Sequence, residues 1–134
     1  MGLQINKIFA CSENYKLKKV LYITYDSLND SISKSQILPL IKYLSNNYKF
    51  YLVSFEKKIQ KNIINDVTLW KQLKYEDSKF SKIKSIIKCF FCVLMLVKKH
   101  KIEIIHCRSY IPAIIAYFIK IITGVKYIFD IRGL

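Results

Sequence analysis

Four short apolar runs, KVLYIT (19–24), KFYLVSF (49–55), IEIIH (102–106) and VKYIFD (125–130), are separated by stretches whose apolar residues recur at helical spacing. This alternation constrains the chain more than any other feature. Runs that are apolar on both faces suit strands buried between two layers, and the stretches between them are long enough to cross back over a sheet. The expected fold is therefore α/β: a three-layer, Rossmann-like parallel sheet with the first strand central. A chain of 134 residues makes one ordinary domain with a real core.

The connecting segments carry local signals of their own. After the first strand a polar loop, YDSLNDSISKS (25–35), leads into a helix with Ile37, Leu38, Ile41 and Leu44 on one face. Ser33 or Ser35 is the expected N-cap, and Asn46 with Asn47 the expected left-handed stop. A short third strand is expected around Val67–Trp70. The longest helix, about 80–100, carries a stripe of Phe80, Ile83, Ile87, Phe90, Leu94 and Val97, expected to lie on the sheet. A last helix opens near Pro112 and stops at Gly124.

Composition excludes several classes. Glycine occurs only at Gly2, Gly124 and Gly133, so neither a GxGxxG fingerprint nor a Walker loop can be present. The net charge of +14 would suit nucleic acid, but of the 23 basic residues only Arg108 and Arg132 are arginines. Lysine lacks the planar fork that reads bases and phosphates, so nucleic acid is not expected as a partner. An anionic membrane surface is the alternative: residues 78–102 hold no acid, while lysines flank their apolar centre. Cys89 and Cys92 form a CxxC inside an apolar run with no second pair. Buried free thiols are expected, and neither a metal nor a cofactor. Residues 1–18, read as a lysine-rich leader, have no continuous apolar core, and the run 89–97 is too short to cross a bilayer. The expected location is the cytoplasm, with peripheral attachment to the inner face of the membrane left open.

Parallel sheets bind ligands beyond the carboxyl ends of their strands. Three segments converge there: Tyr25-Asp26-Ser27 leading to Ser35 and Gln36, then His106-Cys107-Arg108-Ser109, then Asp130-Ile131-Arg132-Gly133. Both arginines and one of the two histidines fall in this set. Arg108, ahead of a helix amino terminus, could hold a phosphate or carboxylate, or pair with Asp130. His106 could act on a sugar hydroxyl or bond to backbone. Asp130 could accept a proton or orient an acceptor hydroxyl. His100 reads as a surface residue. Because the last strand ends on Asp130, Arg132 and Gly133 with nothing after it, the chain is expected to be half of something larger.

The stretches KVLYITYD, SKSQILPLIKYLSNNYKFYLVSFE and IEIIHCRSYIPAIIAYFIKIITGVKYIFDIRGL resemble the amino-terminal domain of a GT-B-fold glycosyltransferase of family 4, the retaining, nucleotide-sugar-dependent group. The resemblance covers most of 19–134. It implies an acceptor-side domain over 19–134 whose carboxy-terminal donor domain is absent, with Arg108, Asp130 and Arg132 lining an interdomain cleft. It implies transfer of a sugar from a nucleotide sugar to a glycan or lipid-linked acceptor in the full enzyme, and no turnover by this chain alone. Two features depart from the family pattern. Ser33-Lys34-Ser35-Gln36 stands where many members carry a glycine pair, and Asp130 stands where many carry a histidine. The rival reading is a non-catalytic basic α/β module that binds anionic membrane or nucleic acid. A receiver-like signalling module is excluded by the lack of clustered acids after the first strand.

Overall fold

The computed structural model describes residues 16–61, 64–74 and 77–131. Its elements are β1 (Lys18–Thr24), α1 (Ser31–Leu44), β2 (Tyr48–Glu56), β3 (Val67–Lys74), α2 (Lys79–His100), β4 (Ile104–Arg108), α3 (Tyr110–Thr123) and β5 (Lys126–Asp130). All five strands are parallel, in the order β3-β2-β1-β4-β5. The fold is thus the Rossmann-like three-layer α/β sheet, with β1 at its centre.

Side-chain alternation along β1 divides the core. Leu21 and Ile23 join Tyr51, Val53, Ile105 and Cys107 under α2 and α3. Val20 and Tyr22 join Phe50 and Leu52 under Leu28, Ile37 and Ile41, at the start of and along α1. Each such aliphatic side chain, fully buried, contributes about 1.5–3 kcal/mol. Among the described residues α1 is the one helix on its face, and it lies over β1 and β2. Toward β5 that face is open, and Ile128 there is 52% exposed.

Several local expectations are corrected. Ser33 and Ser35 are not caps: α1 starts at Ser31 after Asp30, whose extended backbone turns the chain without a side-chain bond. Asn46 and Asn47 are not left-handed, since Lys101 and Ser109 are the non-glycine residues with positive φ among those described. Instead α1 ends through a turn in which Asn47 N–H donates to the Leu44 carbonyl at 3.0 Å. β4 begins two residues late because α2 ends on Lys101 in the left-handed region, with Ile102 N–H closing back on the Val97 carbonyl at 3.1 Å. Arg108 therefore stands on the last residue of a strand, not in the loop beyond it. β3 is longer than expected, running to Lys74.

The largest correction concerns α2. Its inward face is Ser85, Cys89, Val93, Leu96 and Val97, whereas Phe80, Ile83 and Ile87 of the expected stripe are exposed, Phe80 to 82%. The helix centre is apolar on all sides, so periodicity alone does not choose the face. Small side chains, Ser85 and Cys89, lie against the sheet where the helix approaches it, Phe80 and Phe91 turn outward, and Phe90 and Leu94 of the expected stripe pack against the core in part. His100 is likewise half-buried, its ring 4.9 Å from that of Tyr51, while Lys19 Nζ donates to its carbonyl at 2.9 Å and neutralises the helix end. Gly124 ends α3 as expected, at φ 76°.

Candidate functional site at the carboxyl edge of the sheet

Because every strand runs the same way, all carboxyl ends share one edge, and two polar groupings form on it. The first is a row across three strands. Register places Thr24 beside Arg108 and Arg108 beside Asp130, with Tyr22, His106 and Ile128 one step earlier on the same face. Arg108 is 4% exposed, a charged side chain inside the protein. Its Nη2 donates to Gln36 Oε1 of α1, a contact across the domain that pins the guanidinium. Its Nε has no partner among the described residues. Burying a guanidinium with a donor left over costs free energy that a ligand could return.

Asp130 faces His106 rather than Arg108: Asp130 Oδ2 lies 3.8 Å from His106 Nε2, an approach longer than a hydrogen bond that becomes an ion pair only when the imidazole is protonated. The His106 ring lies 4.6 Å from that of Tyr22. Burial pushes the His106 pKa below its ordinary value and Arg108 adds to this, while Asp130 pulls the other way. The imidazole is thus biased toward its neutral form, which can accept a proton. Ser109, next along, has φ 80° and ψ 170° and caps α3 without a side-chain bond. That region is essentially glycine-only, and a serine there stores about 1–3 kcal/mol of strain.

The second grouping is a cleft of about 450 Å³ between the loops that follow β1 and β2. Tyr25, Asp26 and Asp30 line one side and Lys57, Lys58 and Gln60 the other. Its floor is Glu56, fully buried, whose Oε1 accepts from Leu28 N–H at 3.0 Å and from Ser54 Oγ at 2.9 Å, and whose Oε2 accepts from Ser27 Oγ. Trp70 Nε1 donates in turn to Ser54 Oγ at 2.8 Å. One carboxylate therefore ties the β1 loop to β2 and, through Ser54, to β3. The far wall is held by a reciprocal pair: Gln60 N–H donates to Gln72 Oε1 at 2.6 Å, and Gln72 Nε2 donates to the Gln60 carbonyl at 2.9 Å. Asp26 is set by its N–H donating to Thr24 Oγ1 at 3.1 Å.

Of the residues singled out from the sequence, Gln36, His106, Arg108, Ser109 and Asp130 lie together, and Asp26 lines the neighbouring cleft. Ser35 does not join them: it is exposed on α1, with its hydroxyl donating back to the Ile32 carbonyl at 3.0 Å. Arg132 and Gly133 lie outside the described residues. Glu56, Lys57, Lys58 and Gln60 were missed. The one available signal was an acid closing the apolar run FYLVSFE (50–56), a place where an unpaired carboxylate would be costly. The thiols take no part in this edge. Burial pushes both Cys89 and Cys107 up to about 12, so they are inert side chains of the core.

No family model matches the chain, and no curated protein matches it. Solved structures do share its fold. The glycosyltransferase of Rickettsia africae superposes with a TM-score of 0.60 at 15% identity, over 90% of this chain and 31% of that one. The lipopolysaccharide outer core galactosyltransferase WaaB gives 0.63 at 14%, over 83% of this chain and 32% of that one. The carboxy-terminal domain of a Pyrococcus furiosus hydrogenase gives 0.65 at 13% identity, over 87% of this chain and 93% of that domain. The chain thus spans about a third of each transferase and nearly all of the hydrogenase domain. At these identities the likeness establishes the fold, one found in GT-B-type glycosyltransferases and elsewhere.

Proposed function

We propose that the chain is the acceptor-side domain of a family 4, retaining GT-B glycosyltransferase, which in its full form moves a sugar from a nucleotide sugar to a glycan or lipid-linked acceptor. The observation that carries this reading is the polar edge itself: a cleft of about 450 Å³, lined by carboxylates and amines, beside a buried, incompletely bonded arginine. The sequence resemblance falls on those same segments, and the likeness to WaaB and the Rickettsia enzyme supports it at the level of fold. Asp26 and Lys57 offer the paired acceptor and donor groups that sugar hydroxyls need. Asp130, next to a neutral-biased His106, is the group that would orient or deprotonate an acceptor hydroxyl. Arg108 would meet negative charge, whether on the donor or developing during transfer.

One wall cannot hold donor and acceptor together in a reactive arrangement. The chain alone is therefore expected to transfer no sugar from any nucleotide donor, and to do so once joined to a GT-B donor domain. Transfer by the 134-residue chain alone, abolished by Asp130→Ala, would mean that the whole site is already present. The same fold also occurs as a domain of a hydrogenase, matched over 87% of this chain, so the fold does not single out transferases and a second reading stands beside the first, a binding module without catalysis. That reading expects the joined protein to remain inactive as well.

A further inference from the structure

We infer that the outer face of α2 and α3 is a docking surface for an anionic lipid monolayer. The two helices pack side by side on one face of the sheet. On α2, Ile87, Phe91 and Met95 stand one turn apart, opposite the buried Cys89, Val93 and Leu96, so they point away from the sheet. On α3, Ile114, Phe118 and Ile121 do the same, opposite Ile115, Ala116 and Ile119. Each of these six outward side chains is more than half exposed. Scattered apolar residues on a surface mean little, but a contiguous face built from two adjacent helices marks an interaction site.

Charge selects the occupant. Neither helix contains an aspartate or glutamate, and exposed Lys84, Lys88, Lys98 and Lys99 bracket the apolar centre of α2 at both ends. A second copy of the chain would bring two such lysine sets together with no carboxylate on either face to neutralise them. Anionic headgroups neutralise them, and the rings and aliphatic chains then enter the acyl boundary while the lysine stems reach back to the headgroups. No described helix is long and apolar enough to cross a membrane, so the contact lies on the surface. This inference does not depend on the transferase reading, and its test involves no sugar.

The test is sedimentation of the full chain with vesicles of phosphatidylcholine alone or mixed with phosphatidylglycerol. Binding to the anionic vesicles should exceed binding to neutral ones by at least about tenfold, and should weaken as salt shortens the screening length from about 10 Å to about 3 Å. Phe91→Ser/Ile121→Ser leaves the net charge unchanged and should lower binding at least about tenfold, because both apolar side chains no longer enter the acyl boundary. Lys84→Glu/Lys98→Glu should lower it at least as far, whereas Lys34→Glu/Lys42→Glu on α1, across the sheet, should change it less than about twofold. The lysine pair removes no buried atom and keeps the test decisive if the serine pair melts early. Equal binding to neutral vesicles, no binding to either, indifference to the serine pair, or equal loss in the α1 pair would each overturn the inference. So would a dimer in vesicle-free solution that Phe91→Ser abolishes, since the face would then be a self-interface.

Discussion

Replacing Arg108 with leucine should lower kcat/KM of the enzyme completed with a donor domain by about 10²- to 10³-fold, the usual cost of removing one preorganised donor to developing charge. The guanidinium is pinned by Gln36, and its Nε has no partner among the described residues, so the positive charge is held at a fixed place in the row. Gln36 is itself exposed, so water can replace the lost partner and the melting temperature should hold. Arg108→Lys should restore little, because an ammonium can bond Gln36 or a ligand anion but lacks the planar fork to hold both. A variant that melts early and regains full activity on cooling would show Arg108 to be a structural strut and no part of the site.

The second large effect is expected from Glu56→Ala. The carboxylate, itself fully buried at the floor of the cleft, satisfies Leu28 N–H and two serine hydroxyls. Its removal leaves buried donors unpaired at about 1–3 kcal/mol each. Allowing for partial relaxation, a loss of about 3 kcal/mol, or roughly 10 °C in Tm, should appear in thermal unfolding. Glu56→Gln should recover part of this, since the amide still accepts on one oxygen but turns donors toward Leu28 or Ser27. Unchanged melting in Glu56→Ala would show that the β1 loop is held some other way.

These two residues also show what the sequence could disclose. Arg108 was legible, because arginine is rare in this chain and the position follows a run that reads as a strand. Glu56 was not, because its partners on the β1 loop lie 28 and 29 residues away and exist only once β1 and β2 pair. The strands were legible for the same reason that the sheet is buried: runs apolar on both faces have few other places to go. The orientation of α2 was not, since a helix apolar on all sides places its small residues inward by packing, which no hydrophobic period records. The delayed start of β4 was hidden by Lys101, a left-handed residue without the glycine that announces one.

The central claim is that this edge receives an acceptor, and amide chemical shifts of the isotope-labelled chain measure that most directly. Titration with glycans and with short-chain lipid-linked sugars should produce saturable shifts at 25–30, 56–60 and 107–109, the loops that build the cleft and the arginine row. Asp26→Ala should weaken the titration by at least about tenfold, the equivalent of one lost hydrogen bond of about 1.5 kcal/mol to a charged group. Shifts confined to α2 and α3, or none at these loops with any glycan, would contradict the account and leave a binding module in its place.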